Sequence, residues 1–188
     1  MNISKDEAQL SLEAIQQVQK DVRRSLARGG GPIYMMLWGA IWFLGYLGEH
    51  FLQPALAGKL WMALVAVGFV LSFVIGWRTS TKIRVPGYGP RIALFWLAWI
   101  FYTSLIIALF HIPTQPEQMG LFIALMAMFG YVVMGLWIWS FLAWVGILVT
   151  VIIVLASTLM PEYTNLIMAI LGGGTLGLSG LYIYRSGR

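Results

Sequence analysis

Between Glu117 and Glu162 the chain runs for 44 residues without a charged side chain, and most of that run is apolar. One straight helix of this length would measure roughly 66 Å at about 1.5 Å per residue. That is about twice the roughly 30 Å hydrocarbon core of a bilayer. The run must therefore cross, turn and cross back. The turn falls best at Trp137-Ile138-Trp139-Ser140, because paired indoles suit the headgroup boundary.

The rest of the chain divides in the same way. Blocks near the length of a bilayer crossing fall at about 32–52, 59–77, 91–111, 119–138, 141–160 and 165–184. Residues 53–59, 78–91, 112–118 and 161–165 read as loops, rich in Pro, Gly and polar side chains. The chain is 60% hydrophobic and 10% charged, against about 45–50% apolar and about 25% charged in a typical soluble domain. The expected fold is all-α: a polytopic membrane protein of six transmembrane helices over residues 32–188, preceded by a cytoplasmic amphipathic helix and Gly-rich linker over residues 1–31. No secretory signal is expected, since the first apolar block begins after about thirty mostly polar residues with no small-residue cleavage site behind it. Cysteine is absent, which removes disulfides, thiolate metal sites and cysteine nucleophiles.

The front helix opens on a capping box, Ser4 with Glu7 three residues on. Ala8, Leu12, Ile15, Val18, Val22 and Leu26 then recur at steps of three and four and form one stripe, which Leu10 interrupts. Gly29-Gly30-Gly31-Pro32 ends this helix and frees the next to leave at a new angle. The stripe admits three uses: packing on the chain's own cytoplasmic loops or on another copy, lying on the inner leaflet, or docking a protein partner.

Charge sets the threading. Lys5, Lys20, Arg23, Arg24 and Arg28 precede the first block, Arg78, Lys82, Arg84 and Arg91 lie between the second and third, and Arg185 and Arg188 follow the sixth. Lys59 alone falls on the other side. Cations collect on cytoplasmic loops, so both termini are expected inside. The net charge of +5 is thereby accounted for without nucleic acid; the 78–91 loop is too sparse in aromatics for that role. Arg23, Arg24, Arg28, Arg78, Lys82, Arg84 and Arg91 are the expected contacts for anionic lipid of the inner leaflet or a protein partner.

Eight of the nine tryptophans fall toward the cytoplasmic ends in this threading, and only Trp61 falls near the outer end. An anchoring girdle accounts for this. So does an inward-opening cavity lined by Trp38, Trp42, Trp96, Trp99 and Tyr102, suited to an apolar or cationic ligand. In the last block Ala169, Gly173, Gly177 and Gly180 follow steps of four, four and three. Such a face lets helix backbones approach closely, and contact within one chain is favoured over a dimer seam.

Ionisable residues deep in a membrane usually mark a proton or ion path, and none lies near the centre of a block. Glu49 and His50 close the first block and His111 the third; together they could ligate a divalent metal, or they are polar simply because helix ends meet water. Tyr102, Thr103, Ser104, Ser157, Thr158 and Ser179 offer hydroxyls with no base beside them. No cofactor is implied.

The segments Gly30-Gly31-Pro32 and Trp38-Gly39-Ala40-Ile41-Trp42-Phe43-Leu44-Gly45, the late Gly172-Gly173-Gly174 and the basic tail resemble small six-helix bacterial membrane proteins of unassigned function. The resemblance implies a bacterial inner-membrane location and no particular activity. The expected role is a non-enzymatic scaffold, accessory or sensor subunit working through its cytoplasmic face, as a homo-oligomer or with a protein partner. The alternative is an uncoupled channel or carrier for a small neutral or lipidic ligand.

Overall fold

The computed structural model of the chain describes residues 8–14, 16–17, 30–80, 88–115 and 118–186. The described regular structure is helical, with no strand among these residues. Residues 8–14 and 16–17 are helical and exposed, Ala8 and Leu12 of the apolar stripe among them. The remainder of that stripe, together with Arg23, Arg24, Arg28, Lys82 and Arg84, lies outside the described residues.

Gly30 takes the left-handed conformation, φ 90°, which a side chain would strain. Pro32 follows inside the first turn of α1, Gly31–Phe51, where its missing N–H costs nothing. Only Leu52 and Gln53 then separate α1 from α2, Pro54–Ser80. The loop expected over 53–59 is therefore almost all helix. Pro54 suits a first turn, and the Gln53 carbonyl accepts from the amides of Leu56 (2.9 Å) and Ala57 (3.0 Å). After α3, Tyr88–Phe110, come α4, Met119–Trp137, and α5, Ser140–Leu159, joined through Ile138 and Trp139 alone. The last span is composite: a 3-10 turn at Pro161–Tyr163, α6 at Thr164–Ile167, π-helical turns over Met168–Gly173, and α7 at Gly174–Ser186.

Five helical stretches are long and apolar enough to cross a bilayer: Pro54–Thr79, Pro90–Phe110, Met119–Trp137, Ser140–Leu159 and Pro161–Ser186. α1 is not among the five. Glycine, Trp and Tyr dilute its aliphatic content, and Glu49 and His50 stand at its end.

What α1 lacks in aliphatic surface it supplies in close packing. A Cβ on Gly39 would stand 2.5 Å from the Gly177 nitrogen and 2.8 Å from the Gly173 carbonyl oxygen. One on Gly173 would stand 2.7 Å from the Phe43 nitrogen, and one on Gly180 would stand 2.6 Å from the Pro32 oxygen. The two backbones are in contact over three turns. Ala169 is fully buried beside them. Gly177 differs from its neighbours in the stripe, because its backbone meets Gly39 but the direction its own Cβ would take is open. The α4–α5 hairpin is equally tight: Gly135 lies against Ala143, and a Cβ on Gly146 would stand 2.9 Å from the Met128 carbonyl oxygen. Met35, Trp42, Tyr46, Met128, Val149, Met168 and Leu176 fill the space between these pairs.

α2 and α3 stand outside this core. Only 6% of the apolar window of each is buried, against 28–39% for α4, α5 and the last span. α2 leans on α1 where Gly45 admits the Trp61 ring and Gly68 admits Ile41 and Trp38. α3 docks on α4, where the Trp99 indole N–H donates to the Met126 carbonyl at 2.9 Å and Trp96 lies over Gly130.

The two glycines of the shared seam should respond differently to one methyl group. Gly39→Ala must push backbones apart and should cost about 1–3 kcal/mol, the usual scale of overpacking. Gly177→Ala should be neutral or slightly stabilising, since Ala suits a helix better than Gly. Thermal unfolding of both variants in one detergent tests this, and equal losses would contradict the assigned geometry.

Candidate functional site

At the far end of α1, where three helices join, two polar side chains of α1 bond to other helices. Tyr46 and Glu49 are three residues apart on α1 and so share a face. Tyr46 is 1% exposed, and its hydroxyl donates to the Gly120 carbonyl on α4 at 2.8 Å. The Trp61 indole N–H on α2 donates to Glu49 Oε2 at 3.0 Å. The Tyr46 and Trp61 rings meet edge to face at 5.1 Å, and Trp42 continues the column at 5.9 Å from Tyr46. Such edge-to-face pairs add about 0.5–1.5 kcal/mol beyond their buried area.

Glycines make the junction possible. A Cβ on Gly45 would stand 2.6 Å from the Trp61 ring, and one on Gly48 would clash with Leu60. A Cβ on Gly120 would stand 3.4 Å from Glu49 Oε2 and 3.5 Å from the Tyr46 ring. The carboxylate is half-buried, and its hydrogen-bond donor is an indole rather than a cation. An indole N–H is a donor only, so the contact is a charge-assisted hydrogen bond with one carboxylate oxygen. The Tyr46 hydroxyl spends its proton on a backbone carbonyl. Chemically, the junction is an anchor that ties α1 to α2 and α4 through one carboxylate and one phenol.

The expected metal group is not assembled. Among the described residues no three His, Cys, Asp or Glu side chains gather as a metal site. Glu49 turns toward Trp61, the His50 ring lies edge-on to Phe51 at 4.8 Å, and His111 is exposed after the last turn of α3 at φ 51°. Residues beyond a helix C-terminus commonly take that left-handed conformation.

The five aromatic residues expected to line a cavity fall into separate packing contacts. Trp38 meets Phe69 of α2 edge to face at 5.6 Å, and Trp42 is buried in the core. Trp96, against Tyr131, and Trp99, through Met126, fasten α3 to α4. Tyr102 is 63% exposed. Each buried ring is used by a neighbouring helix because, in an apolar medium, indoles both pack and find an acceptor for their N–H. Of the expected lipid or partner contacts, Arg78 and Arg91 are described and exposed.

Residue reading alone missed Tyr46, Trp61, Gly120 and Gly39. One signal was present: Trp61 is the single tryptophan away from the others, and it sits at the same end as the carboxylate of the preceding helix. No protein-family model, curated protein or solved structure matches the chain.

Removing one partner of the Glu49–Trp61 bond leaves the other half-buried and unpaired. Trp61→Phe should therefore destabilise the protein by about 1–3 kcal/mol. Combining it with Glu49→Leu should recover part of that loss, because replacing both partners by apolar groups avoids the unpaired charge. A double-mutant cycle on detergent unfolding midpoints reads the coupling, and strictly additive losses would remove the bond from the account of the junction.

Proposed function

We propose that the chain is an integral protein of the bacterial inner membrane, crossing six times with both termini in the cytoplasm, and that it works by association as a scaffold, accessory or sensor subunit. The observation that supports this most is the contrast between the backbone-close core and the two long spans outside it. α1, α4, α5 and the last span bury their faces against one another. α2 and α3 each rest mainly on one neighbour and offer the rest of their length to lipid or to other membrane segments. A protein built for chemistry would bring convergent polar groups to a cleft. Here the Tyr46 hydroxyl, the Glu49 carboxylate and the Trp99 indole tie helices together.

α1 counts as the sixth crossing in this reading because it lies between α2 and the last span, both of crossing length, and packs along both. Its 21 residues extend roughly 31 Å at about 1.5 Å per residue, enough for the hydrocarbon core. The distribution of cations supplies the orientation. The exposed Ala8 and Leu12 support an association role for the front stripe over packing on the chain's own loops. A channel or carrier is supported less, because the tryptophans expected to line a path are taken up in helix contacts.

The absence of cysteine makes the threading directly testable. Gln53→Cys should react with a membrane-impermeant maleimide on spheroplasts, whereas Thr81→Cys and Gly187→Cys should react only after lysis. The reverse pattern would invert the orientation, and labelling of Gly187→Cys together with Gln53→Cys would reduce the crossings by one. Deleting residues 2–27 should abolish a co-purifying partner or oligomer in mild detergent; an unchanged assembly would overturn the association role.

A further inference from the structure

We infer that the end of the last span carries a binding site for one anionic phospholipid, with Arg185 on the phosphate and Leu178, Leu181 and Tyr182 along the acyl chain. The site is a shallow groove of about 490 Å³ lined by Leu178, Leu181, Tyr182, Arg185 and Ser186. These positions are spaced three, one, three and one residues apart, which places them on one face of α7. The face is graded along the helix. The leucines come first, an aromatic ring follows, and a cation with a hydroxyl beside it closes the row at the helix end. Seven residues separate Leu178 from Arg185, roughly 10 Å of helix at about 1.5 Å per residue. A phospholipid presents the same sequence of chemistry over a comparable depth, from acyl chain through the interfacial region to the phosphate.

One wall of the groove is held in place from outside α7. The Trp139 and Phe141 rings at the α4–α5 turn stack at 5.1 Å and 28°, and Phe141 continues onto Tyr182 at 6.1 Å and 28°. Tyr182 is otherwise 64% exposed, so the stack fixes a ring that would be free to turn, and an ordered wall lowers the cost of ordering a ligand against it. Arg185 is exposed at the groove's end. Its planar fork of donors suits a phosphate better than a lysine would. A helix C-terminus favours a cation on its own account, but that preference asks nothing of Leu178, Leu181 or the stacked Tyr182.

The inference rests on the proposed threading, which puts this end of α7 among the cytoplasmic headgroups. The test uses the full chain reconstituted into nanodiscs of phosphatidylcholine with phosphatidylglycerol, extracted gently, and weighed by native mass spectrometry for retained lipid. The wild type should retain one phosphatidylglycerol in preference to phosphatidylcholine. Arg185→Gln should lower that occupancy about fivefold, the worth of roughly 1 kcal/mol for one cation facing an anionic headgroup. Leu181→Trp should lower it with the charge intact by filling the groove, while Lys59→Gln, an exposed cation on another helix and outside the expected inner-leaflet contacts, should leave it unchanged. Equal retention of the two lipids by the wild type, or wild-type retention in both groove variants, would overturn the site. Labelling of Gly187→Cys on intact spheroplasts would instead overturn the threading, so the two failures are distinguishable.

Discussion

Two helix backbones touch at Gly39, Gly173 and Gly180, and the rest of the arrangement depends on that contact. Among apolar spans in lipid, burying one more leucine against another gains little over leaving it in acyl chains, so close approach and dispersion decide which helices associate. Glycine permits the closest approach. With α1 pressed against the last span, Trp42 comes to lie over Gly172, and Met35, Met168 and Leu176 close around it. The π-helical turns over Met168–Gly173 end at Gly173, one of these contacts. Such turns loosen the regular ladder of a helix, and the tighter contacts at Gly177 and Gly180 follow in the regular helix beyond them.

From the same contact follows the division between core and periphery. α1 is occupied on one side by the last span, and α2 takes another side through Gly45, Gly48 and Gly68. The column of Trp42, Tyr46 and Trp61 runs through that second contact and ends at Glu49. A carboxylate at a helix end would ordinarily turn to water. Here it is drawn inward because an indole at the same level needs an acceptor, and the bond leaves neither group alone in a poorly solvated place.

Much of the architecture was legible along the chain. The uncharged run required a hairpin, and the turn at Ile138 and Trp139 lies where the paired indoles put it. The helical character of every apolar block was equally plain, since an isolated span must satisfy its own backbone. The connection after α1 was not legible, because Pro and Gly read as loop signals and Pro54 instead serves as a first-turn residue. Nor was the fate of Glu49, His50 and His111, since proximity to the same interface says nothing about which way each side chain turns. Spacing marked Gly173 and Gly180 for close packing, yet it could not separate them from Gly177, whose missing Cβ would point into open space.

These successes and failures share one cause. Hydropathy and charge are measured against a slab, one residue after another, so the sequence alone determined the helical character of the apolar blocks, the location of five stretches of crossing length, where the long run folds back and where the cations fall along the chain. Contacts between helices depend on the rotation of each about its own axis. A span that is apolar all round carries no stripe to reveal that rotation. Only the tertiary structure could therefore decide that Gly39 faces the last span, that Trp61 answers Glu49, and that Trp38, Trp42, Trp96 and Trp99 each pack on another helix.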